Sequence, residues 1–258
     1  MDDRTVGEYW ERNATAWTQL TRAGYDVYRD LLNTPAFLAM LPEVAGQDGL
    51  DIGCGEGANT RRLAERGARM WGVDIAPTFI ARAREVEATP PIVYSVGSAV
   101  ALPFESGRFD FAVAFMSLMD VGEPEVAIQE AYRVLRPGGF LQFSITHPCF
   151  GTPHRKLLRR ADGEAYAVEI GRYYDRADGE IERWIFGSAP EEVKAGLPKF
   201  EIPRFYRTLS EWMNFLLEAG FTLERLEEPR VSEAVAREFP AVQDTRVVSY
   251  FLHVRARK

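Results

Sequence analysis

The chain has 258 residues, of which 46% are hydrophobic and 27% charged, and its formal net charge is −7. This length and composition are typical of one soluble domain with an elaboration, or at most two domains. The negative charge argues against nucleic acid as the main partner, because binding to phosphates needs clustered Lys and Arg side chains. No apolar run reaches the roughly 18 residues of a membrane span, so we expect no membrane insertion.

The cysteines and the first residues predict the cellular compartment. Cys54 and Cys149 do not form a disulfide framework, and we expect them to be reduced thiols. The segment Met1–Arg4 is acidic and lacks the apolar core of a signal peptide. We therefore expect a cytoplasmic protein. The three scattered His and two distant Cys residues predict no metal site.

The first forty residues favour helix. A helix is predicted over residues 5–20, because Thr5-Val6-Gly7-Glu8 fits a capping box and apolar side chains follow at helical spacing. A second helical stretch lies near Val27–Met40 and is interrupted at Pro35. We expect residues 1–40 to form a helical cover.

Short apolar runs and helical patterns then alternate. The predicted strands are Gly49–Ile52, Arg69–Ile75, Ile92–Val96, Phe109–Met116 and Gly139–Thr146. The predicted helices between them are Ala58–Arg66, Pro77–Glu87 and Glu123–Leu135. Strands that are separated by helices indicate an α/β fold with a parallel sheet covered on both faces.

The periodic pattern is absent from residues 150–205. The ten Lys and Arg side chains of this segment balance its ten Asp and Glu side chains, and its aromatic residues follow no clear period. We expect an inserted lid or small subdomain, since an irregular segment this long is seldom a plain linker. Regularity returns with a capping box, Thr208-Leu209-Ser210-Glu211, which opens a helix that ends at Gly220. The segments Phe221–Glu227 and Val247–Arg255 are predicted as an antiparallel pair at the sheet edge.

The most informative stretch is Leu50–Gly57, which is followed by an acidic residue, Asp74, at the end of the next apolar run. Gly53, Gly55 and Gly57 leave a backbone without β-carbons, against which a nucleoside-like ligand can lie. Asp74 is placed to hold ribose hydroxyls. The same glycine spacing satisfies the dinucleotide fingerprint, so a nicotinamide-dependent oxidoreductase is one alternative.

Asp51 favours a different nucleoside. It lies directly before the glycines, where its charge suits an ammonium group better than a pyrophosphate. No other region of the chain looks like a separate substrate domain for hydride transfer. The acidic turn suits a ligand that carries an amino-acid moiety and a cationic sulfonium.

At these residues the chain resembles the class I S-adenosylmethionine-dependent methyltransferases, in particular the small-molecule group related to quinone-biosynthesis methyltransferases. The motifs that carry the resemblance are, in order, Asp51–Gly57, Gly72–Ile75, Gly97–Ala99 with Leu102–Phe104, Phe109-Asp110, and Arg133–Gly139. The resemblance covers nearly the whole chain. It implies a Rossmann-like, seven-stranded, mostly parallel sheet of order 3-2-1-4-5-7-6 with the last strand antiparallel. Residues 41–149 and 206–258 would form the cofactor-binding core, and 150–205 the inserted substrate lid.

The resemblance implies S-adenosyl-L-methionine as cofactor and S-adenosyl-L-homocysteine as product. The implied cofactor-binding residues are Tyr9, Trp17, Asp51, Gly53, Cys54, Gly55, Gly57, Asp74, Ile75, Ser98, Ala99, Phe115 and Met116. Tyr9 and Trp17 belong to the N-terminal helix, which folds over the cofactor in similar enzymes. Cys54 is the small residue common at its place in the turn, and not a nucleophile. Ser98 stands where the family often has Asp.

Three residues are candidates for chemistry on the methyl acceptor. Methyl transfer from a sulfonium is an in-line displacement, so a base is needed only if the nucleophile arrives protonated. His147, at the end of the fifth predicted strand, is the candidate base, although a His before a Pro is also typical of a structural turn. Asp120, where relatives often have His, and Tyr206 are candidates for orienting the acceptor.

These patterns predict a methyltransferase that acts on a small, apolar or aromatic molecule, with no nucleic-acid or membrane partner, as a monomer or a homodimer. The alternative is a non-catalytic S-adenosylmethionine-binding sensor or partner subunit, because Ser98 and Asp120 depart from the family pattern.

Overall fold

The computed structural model describes residues 1–258. The helices are α1 (Asp3–Arg22), α2 (Thr34–Met40), α3 (Ala58–Ala64), α4 (Pro77–Arg84), α5 (Pro124–Val134), α6 (Glu191–Ala195), α7 (Leu209–Ala219) and α8 (Glu233–Glu238). The strands are β1 (Asp48–Ile52), β2 (Arg69–Asp74), β3 (Val93–Val96), β4 (Phe109–Phe115), β5 (Leu135–Thr146), β6 (His154–Arg159), β7 (Ala165–Gly171), β8 (Asp178–Trp184), β9 (Phe200–Phe205), β10 (Thr222–Glu227) and β11 (Phe251–Arg257). A π-helical turn, Arg29–Asn33, leads into α2.

Seven strands form one sheet in the order β10-β11-β5-β4-β1-β2-β3. Counted among the strands of this sheet alone, the order is 3-2-1-4-5-7-6. The last strand, β11, runs antiparallel to both of its neighbours, β5 and β10, whereas β1 to β5 pair in parallel. The predicted sheet is confirmed in strand number, order and direction.

The core fills both faces of the sheet because side chains alternate along the central strand β4. Phe111 and Val113 pack with Phe37 of α2 and Leu63 of α3. Ala112 and Ala114 point to the opposite face and belong to the cluster that α5 and α7 cover. This burial on both faces explains why β4 reads as a continuous apolar run.

Two strands begin four residues away from their predicted starts. Strand β5 begins at Leu135, not Gly139, because Leu135 already pairs with Phe109 of β4. Strand β11 begins at Phe251, since residues 240–246 form a 3₁₀ turn and the Asp244 carbonyl accepts the N–H groups of Val247 and Val248.

The segment 150–205, for which no elements were predicted, forms two antiparallel strand pairs, β6–β7 and β8–β9, and the short helix α6. Helix α1 packs against β9 and is fixed there by one side chain. Asn13 donates from Nδ2 to the Glu201 carbonyl at 2.9 Å and accepts the Glu201 N–H on Oδ1 at 3.1 Å. Both elements therefore lie as one layer beside the sheet.

None of the helices is long and apolar enough to pass through a lipid bilayer.

Candidate functional site

A cavity of about 560 Å³ opens at the carboxyl ends of β1, β2, β4 and β5, and we call it the first chamber. One wall is the backbone that follows these strands, including the glycine turn after β1. The facing wall comes from α1 and from the β8–β9 pair, with Trp10, Trp17, Trp184 and Phe186. Its volume lies in the range of small-molecule sites, and the carboxyl edge is where open α/β sheets bind ligands.

The glycine turn needs its glycines for two different reasons. Gly53 and Gly57 have φ values of +71° and +83°, and a Cβ on either would lie 2.4 Å from Ser117 or Tyr94. Gly55 has a φ of +53° but has nothing within 4 Å of its Cβ position. Two glycines therefore let the turn pack against the chain, whereas Gly55 presents bare backbone to the first chamber.

Asp74 is held against this turn. Its Oδ2 accepts the Gly55 N–H at 2.8 Å, and its Oδ1 accepts the Ala76 N–H at 3.0 Å. Burial raises the pKa of Asp74 to about 6. Each carboxylate oxygen accepts two hydrogen bonds, so the side chain keeps capacity for the hydroxyls of a ligand in the first chamber.

One carboxylate oxygen of Asp51 lacks a hydrogen-bond partner. The residue is 1% exposed, and its Oδ2 accepts the Thr60 hydroxyl at 2.6 Å. Its Oδ1 is buried and has no hydrogen-bond partner. Burial raises the pKa of Asp51 to about 7. Because a buried, unpaired carboxylate is costly, a cationic group of a ligand would supply what this site lacks.

The end of α1 is tied to the glycine turn by charge. Arg22 Nε and Arg61 Nη2 each lie 3.0 Å from Glu56 Oε2, and Glu56 is buried directly after Gly55. These ion pairs hold α1, which belongs to the facing wall of the first chamber, against the glycine turn.

The structure does not bring Tyr9 to the first chamber. Its ring lies under the Arg12 guanidinium, 4.2 Å from the carbon to the ring centroid. Trp10 lines the chamber instead, with Trp17, whose ring centroid is 5.4 Å away. Residues seven apart share a helix face, whereas Tyr9 is rotated by about 100° from Trp10.

The other predicted cofactor residues divide into two groups. Those that line the first chamber are Trp17, Asp51, Gly53, Cys54, Gly55, Asp74, Ile75, Ala99, Phe115 and Met116. Gly57 and Ser98 stand behind the wall, where Ser98 Oγ accepts the Val100 N–H at 3.1 Å. Burial raises the pKa of the Cys54 thiol well above its usual value, so Cys54 stays protonated.

Asp120 lies in the wall of the first chamber, just beyond β4, and is 7% exposed. Its Oδ1 has no hydrogen bond, and the nearest charge is Arg204 Nη1 at 3.6 Å. Burial raises the pKa of Asp120 to about 7, against the opposing effect of Arg204. This carboxyl group is therefore close to half ionised at neutral pH and is free to accept a proton.

His147 lies outside the first chamber, and its ring has no free nitrogen. Nδ1 accepts the Cys149 N–H at 3.2 Å, and Nε2 lies 2.7 Å from Glu228 Oε1. Because Nδ1 accepts, the neutral ring carries its proton on Nε2 and donates it to Glu228. Burial lowers the pKa of His147. His147 is therefore placed as a structural turn residue, and neither ring nitrogen is available for the predicted role of a base in the first chamber.

A second chamber of about 360 Å³ adjoins the first. The residues that line both are Met119, Thr146, Arg204 and Tyr250. Tyr206, a predicted acceptor-orienting residue, lines only the second chamber, where burial raises the pKa of its phenol. Asp120 and Tyr206 therefore lie on different sides of the shared wall.

Several residues of the walls were not singled out by the sequence. Asp26 and Arg29 lie next to each other in the first chamber, and burial raises the pKa of Asp26 to about 6. Arg29 donates from Nε to Asp30 Oδ1 at 2.8 Å. Charged residues in a helical stretch are usually solvated, so only their position among apolar neighbours distinguishes this pair. Arg204 and Tyr250 lie in or beside segments without a period, where no pattern pointed to them.

Comparison with known proteins gives concordant findings. Residues 50–143 match a family model described as a methyltransferase domain. The chain is 35% identical over 104 residues to the ubiquinone biosynthesis O-methyltransferase of Pseudomonas entomophila (strain L48), covering 39% of this chain and 45% of that protein. It is 31% identical over 148 residues to the demethylmenaquinone methyltransferase of Renibacterium salmoninarum, covering 53% of this chain and 62% of that one. The chain thus spans about half the length of these relatives.

A solved structure matches over a longer range. The S-adenosylmethionine-dependent methyltransferase from Mesorhizobium loti superimposes with a TM-score of 0.70 at 28% sequence identity. The match covers 87% of this chain and 96% of that one.

Proposed function

We propose that this chain, which belongs to the class I S-adenosylmethionine-dependent methyltransferases, transfers a methyl group to a small-molecule acceptor. The observation that carries the proposal is the unpartnered Oδ1 of Asp51, a residue that lines the first chamber together with Gly55 and its bare backbone. S-adenosyl-L-methionine supplies a methyl group on a positively charged sulfur. The sulfur is a good leaving group, because it departs as the neutral thioether of S-adenosyl-L-homocysteine.

The charges of the first chamber suit this cofactor. Its wall holds six carboxylates and two guanidinium groups. The carboxylates are Asp3, Asp26, Asp51, Glu56, Asp74 and Asp120. A ligand with a sulfonium and an ammonium group is attracted by such a surface.

Each part of the cofactor has a candidate partner. We assign the ammonium group to Asp51, whose free oxygen needs a donor, and the ribose hydroxyls to Asp74. Arg29 is the guanidinium in the same wall that suits the carboxylate of the amino-acid moiety. Ile75 and Ala99 give apolar surface for the adenine ring.

The acceptor end of the first chamber is apolar apart from the Asp120–Arg204 pair. Phe115, Met116 and Trp184 line it. We assign to Asp120 the role of accepting the proton of an acidic O–H or N–H group as the methyl group is transferred. The names of the relatives, which act in ubiquinone and menaquinone biosynthesis, support an aromatic, quinol-like acceptor.

The cover completes the proposed mechanism. We propose that residues 1–40 and 150–205 act as cover and lid over the core made by 41–149 and 206–258. Trp17 packs against Phe186 and Phe200 at centroid distances of 5.0 and 4.8 Å, which joins the cover to the lid by apolar contact. An apolar, closed wall excludes water, which would otherwise solvate the reacting groups.

The proposal is tested by calorimetric titration with S-adenosyl-L-homocysteine. We expect Asp74→Ala to weaken binding by roughly a hundredfold, because hydrogen bonds to charged groups contribute about 1.5–3 kcal/mol each. The control Asp162→Ala changes an exposed aspartate far from the first chamber and should bind as the wild type does. Equal binding by all three proteins contradicts the proposal.

A screen of phenols, quinols and keto acids, followed by release of S-adenosyl-L-homocysteine, tests the reaction itself. Turnover on any of these compounds supports the methyltransferase. Cofactor binding without turnover on any of them favours the non-catalytic binding module.

A further inference from the structure

We infer that the second chamber binds an acidic group of the methyl acceptor, a carboxylate or a phosphate monoester, while the reacting atom lies in the first chamber. This inference rests on the proposed function. It adds a requirement on the acceptor that neither the glycine turn nor the apolar wall imposes.

The two chambers are placed to hold two parts of one molecule. They share the side chains of Met119, Thr146, Arg204 and Tyr250, so no further element separates them. Arg204 Nη1 lies 3.6 Å from Asp120 on the first-chamber side. An acceptor whose reacting atom is beside Asp120 therefore reaches the second chamber by passing Arg204.

The charged side chains of the second chamber are mainly basic. Three guanidinium groups, those of Arg155, Arg204 and Arg207, face one carboxylate, that of Glu182. The acids that pair with Arg155 and Arg207 are Asp244 at 3.3 Å and Asp178 at 3.0 Å, and neither lines the chamber. Arg204 pairs with Glu182 itself and with Asp120. The wall therefore presents three guanidinium groups, while the partners of two of them lie behind it.

Arg207 adds an independent sign of a missing ligand atom. Its side chain is 6% exposed, and its Nε is buried with no hydrogen-bond partner. A buried donor without a partner is costly, and an anionic oxygen in the chamber is the acceptor that this nitrogen lacks. The guanidinium fork binds two oxygens of one carboxylate or phosphate at once, which favours these two anions over a neutral polar group.

The ring of Tyr250 completes the chamber. It lies 5.4 Å from the Arg155 guanidinium and 4.8 Å from the Tyr28 ring, so the residue gives an aromatic surface at the shared wall. An acceptor that joins an aromatic ring to an acidic group fits both this surface and the arginines.

The test measures binding and needs no turnover. Wild-type protein saturated with S-adenosyl-L-homocysteine is titrated with phenylacetate, with phenyl phosphate and with neutral phenylacetamide. We expect one of the two anions to bind about tenfold more tightly than the amide, which is the effect of one charge-assisted hydrogen bond. The stronger anion identifies which acidic group the chamber takes.

Two variants should move this preference in opposite directions. Arg155→Gln should abolish it, whereas Glu182→Gln should increase it about threefold by removing the one carboxylate of the wall. Arg159→Gln is the matched control, since Arg159 is exposed on the same strand, β6, and does not line the chamber. Binding of S-adenosyl-L-homocysteine by each variant shows that its core is intact.

The outcomes separate this inference from the proposed function. If the wild type binds S-adenosyl-L-homocysteine but takes all three probes equally, or takes none, the inference is overturned and the proposed function stands. A preference that survives in Arg155→Gln, or one that does not grow in Glu182→Gln, also overturns it. If the wild type does not bind S-adenosyl-L-homocysteine, the proposed function itself fails.

Discussion

The first and second chambers share four wall residues but have opposite charge. Six carboxylates and two guanidinium groups line the first, whereas three guanidinium groups and one carboxylate line the second. Arg204 belongs to both and stands beside Asp120, where the two surfaces meet. If the proposed function and the inference drawn from it hold, this difference sorts two ligands by charge: a cation is favoured on the side of the glycine turn, and an anion on the other side of Arg204.

The largest effect is expected where the two chambers meet. Asp120→Asn removes the proposed proton acceptor, and we expect turnover to fall by at least about a hundredfold. In the wild type saturated with S-adenosyl-L-methionine, kcat/KM for the acceptor should rise with pH through about 7, because the pKa of Asp120 is raised to about 7 and only the ionised form accepts a proton. The pH–rate profile of the variant should lack this rise.

The control for this prediction is Asp175→Asn, which changes an exposed aspartate and should leave the profile unaltered. Normal binding of S-adenosyl-L-homocysteine by Asp120→Asn shows that the fold is preserved. An unchanged rise near pH 7 in that variant would assign the titrating group elsewhere.

The next largest effect belongs to the first chamber alone. Asp51→Asn should weaken binding of S-adenosyl-L-homocysteine by about tenfold at pH 8, because the ammonium group loses its ion pair with a carboxylate and keeps at most a hydrogen bond to an uncharged amide oxygen. Calorimetric titration measures this loss. Affinity for acidic probes in the second chamber should stay the same, since Asp51 does not line that chamber.

Asp51 also gives this binding a pH dependence. Burial raises the pKa of Asp51 to about 7, so the free carboxyl must lose a proton to pair with an ammonium group. Wild-type affinity should therefore rise between pH 6 and pH 8 and then level off. If Asp51→Asn shows the same rise, another group controls it.

The smallest effect is expected at His147, which lies outside both chambers. His147→Gln should leave turnover and its pH profile unchanged and lower the free energy of unfolding by about 1 kcal/mol, because the Cys149 N–H loses its acceptor, Nδ1 of the ring. Urea unfolding at pH 8 measures the stability. The pKa of His147 is lowered in the folded state, so its contribution is present above about pH 6.5 and is lost as the pH falls below that value. Loss of the rise near pH 7 in this variant would restore His147 as the base.

The glycine turn and Asp74 could be predicted from the sequence, because their conformation and placement depend on residues that are close together in the chain. The positive φ of Gly55 and the position of Asp74 after the next strand depend on short spacings that the sequence displays directly. The strand order followed from the resemblance together with alternation of strands and helices. These features position the cofactor end of the first chamber.

The acceptor end could not be predicted in the same way. Glu228, whose carboxylate bonds His147 Nε2, is 81 residues away in the chain, and no sequence spacing indicates that contact. Arg204 lies in a segment without hydrophobic period, so its meeting with Asp120 depends on tertiary packing alone. Tyr9 was predicted in place of its neighbour Trp10, because the sequence alone does not specify which face of the helix is turned toward the first chamber.

The amide of Asn13 has a consequence for ligand exchange. It bonds the N–H and the carbonyl of Glu201, as a neighbouring β-strand would. Separation of α1 from β9 therefore breaks both hydrogen bonds and leaves these two backbone groups without their partner. The two elements should open in one concerted step, and the Glu201 amide should exchange with deuterium at the same rate as the core amides of α1. Admission and departure of both ligands would then be governed by a single movement.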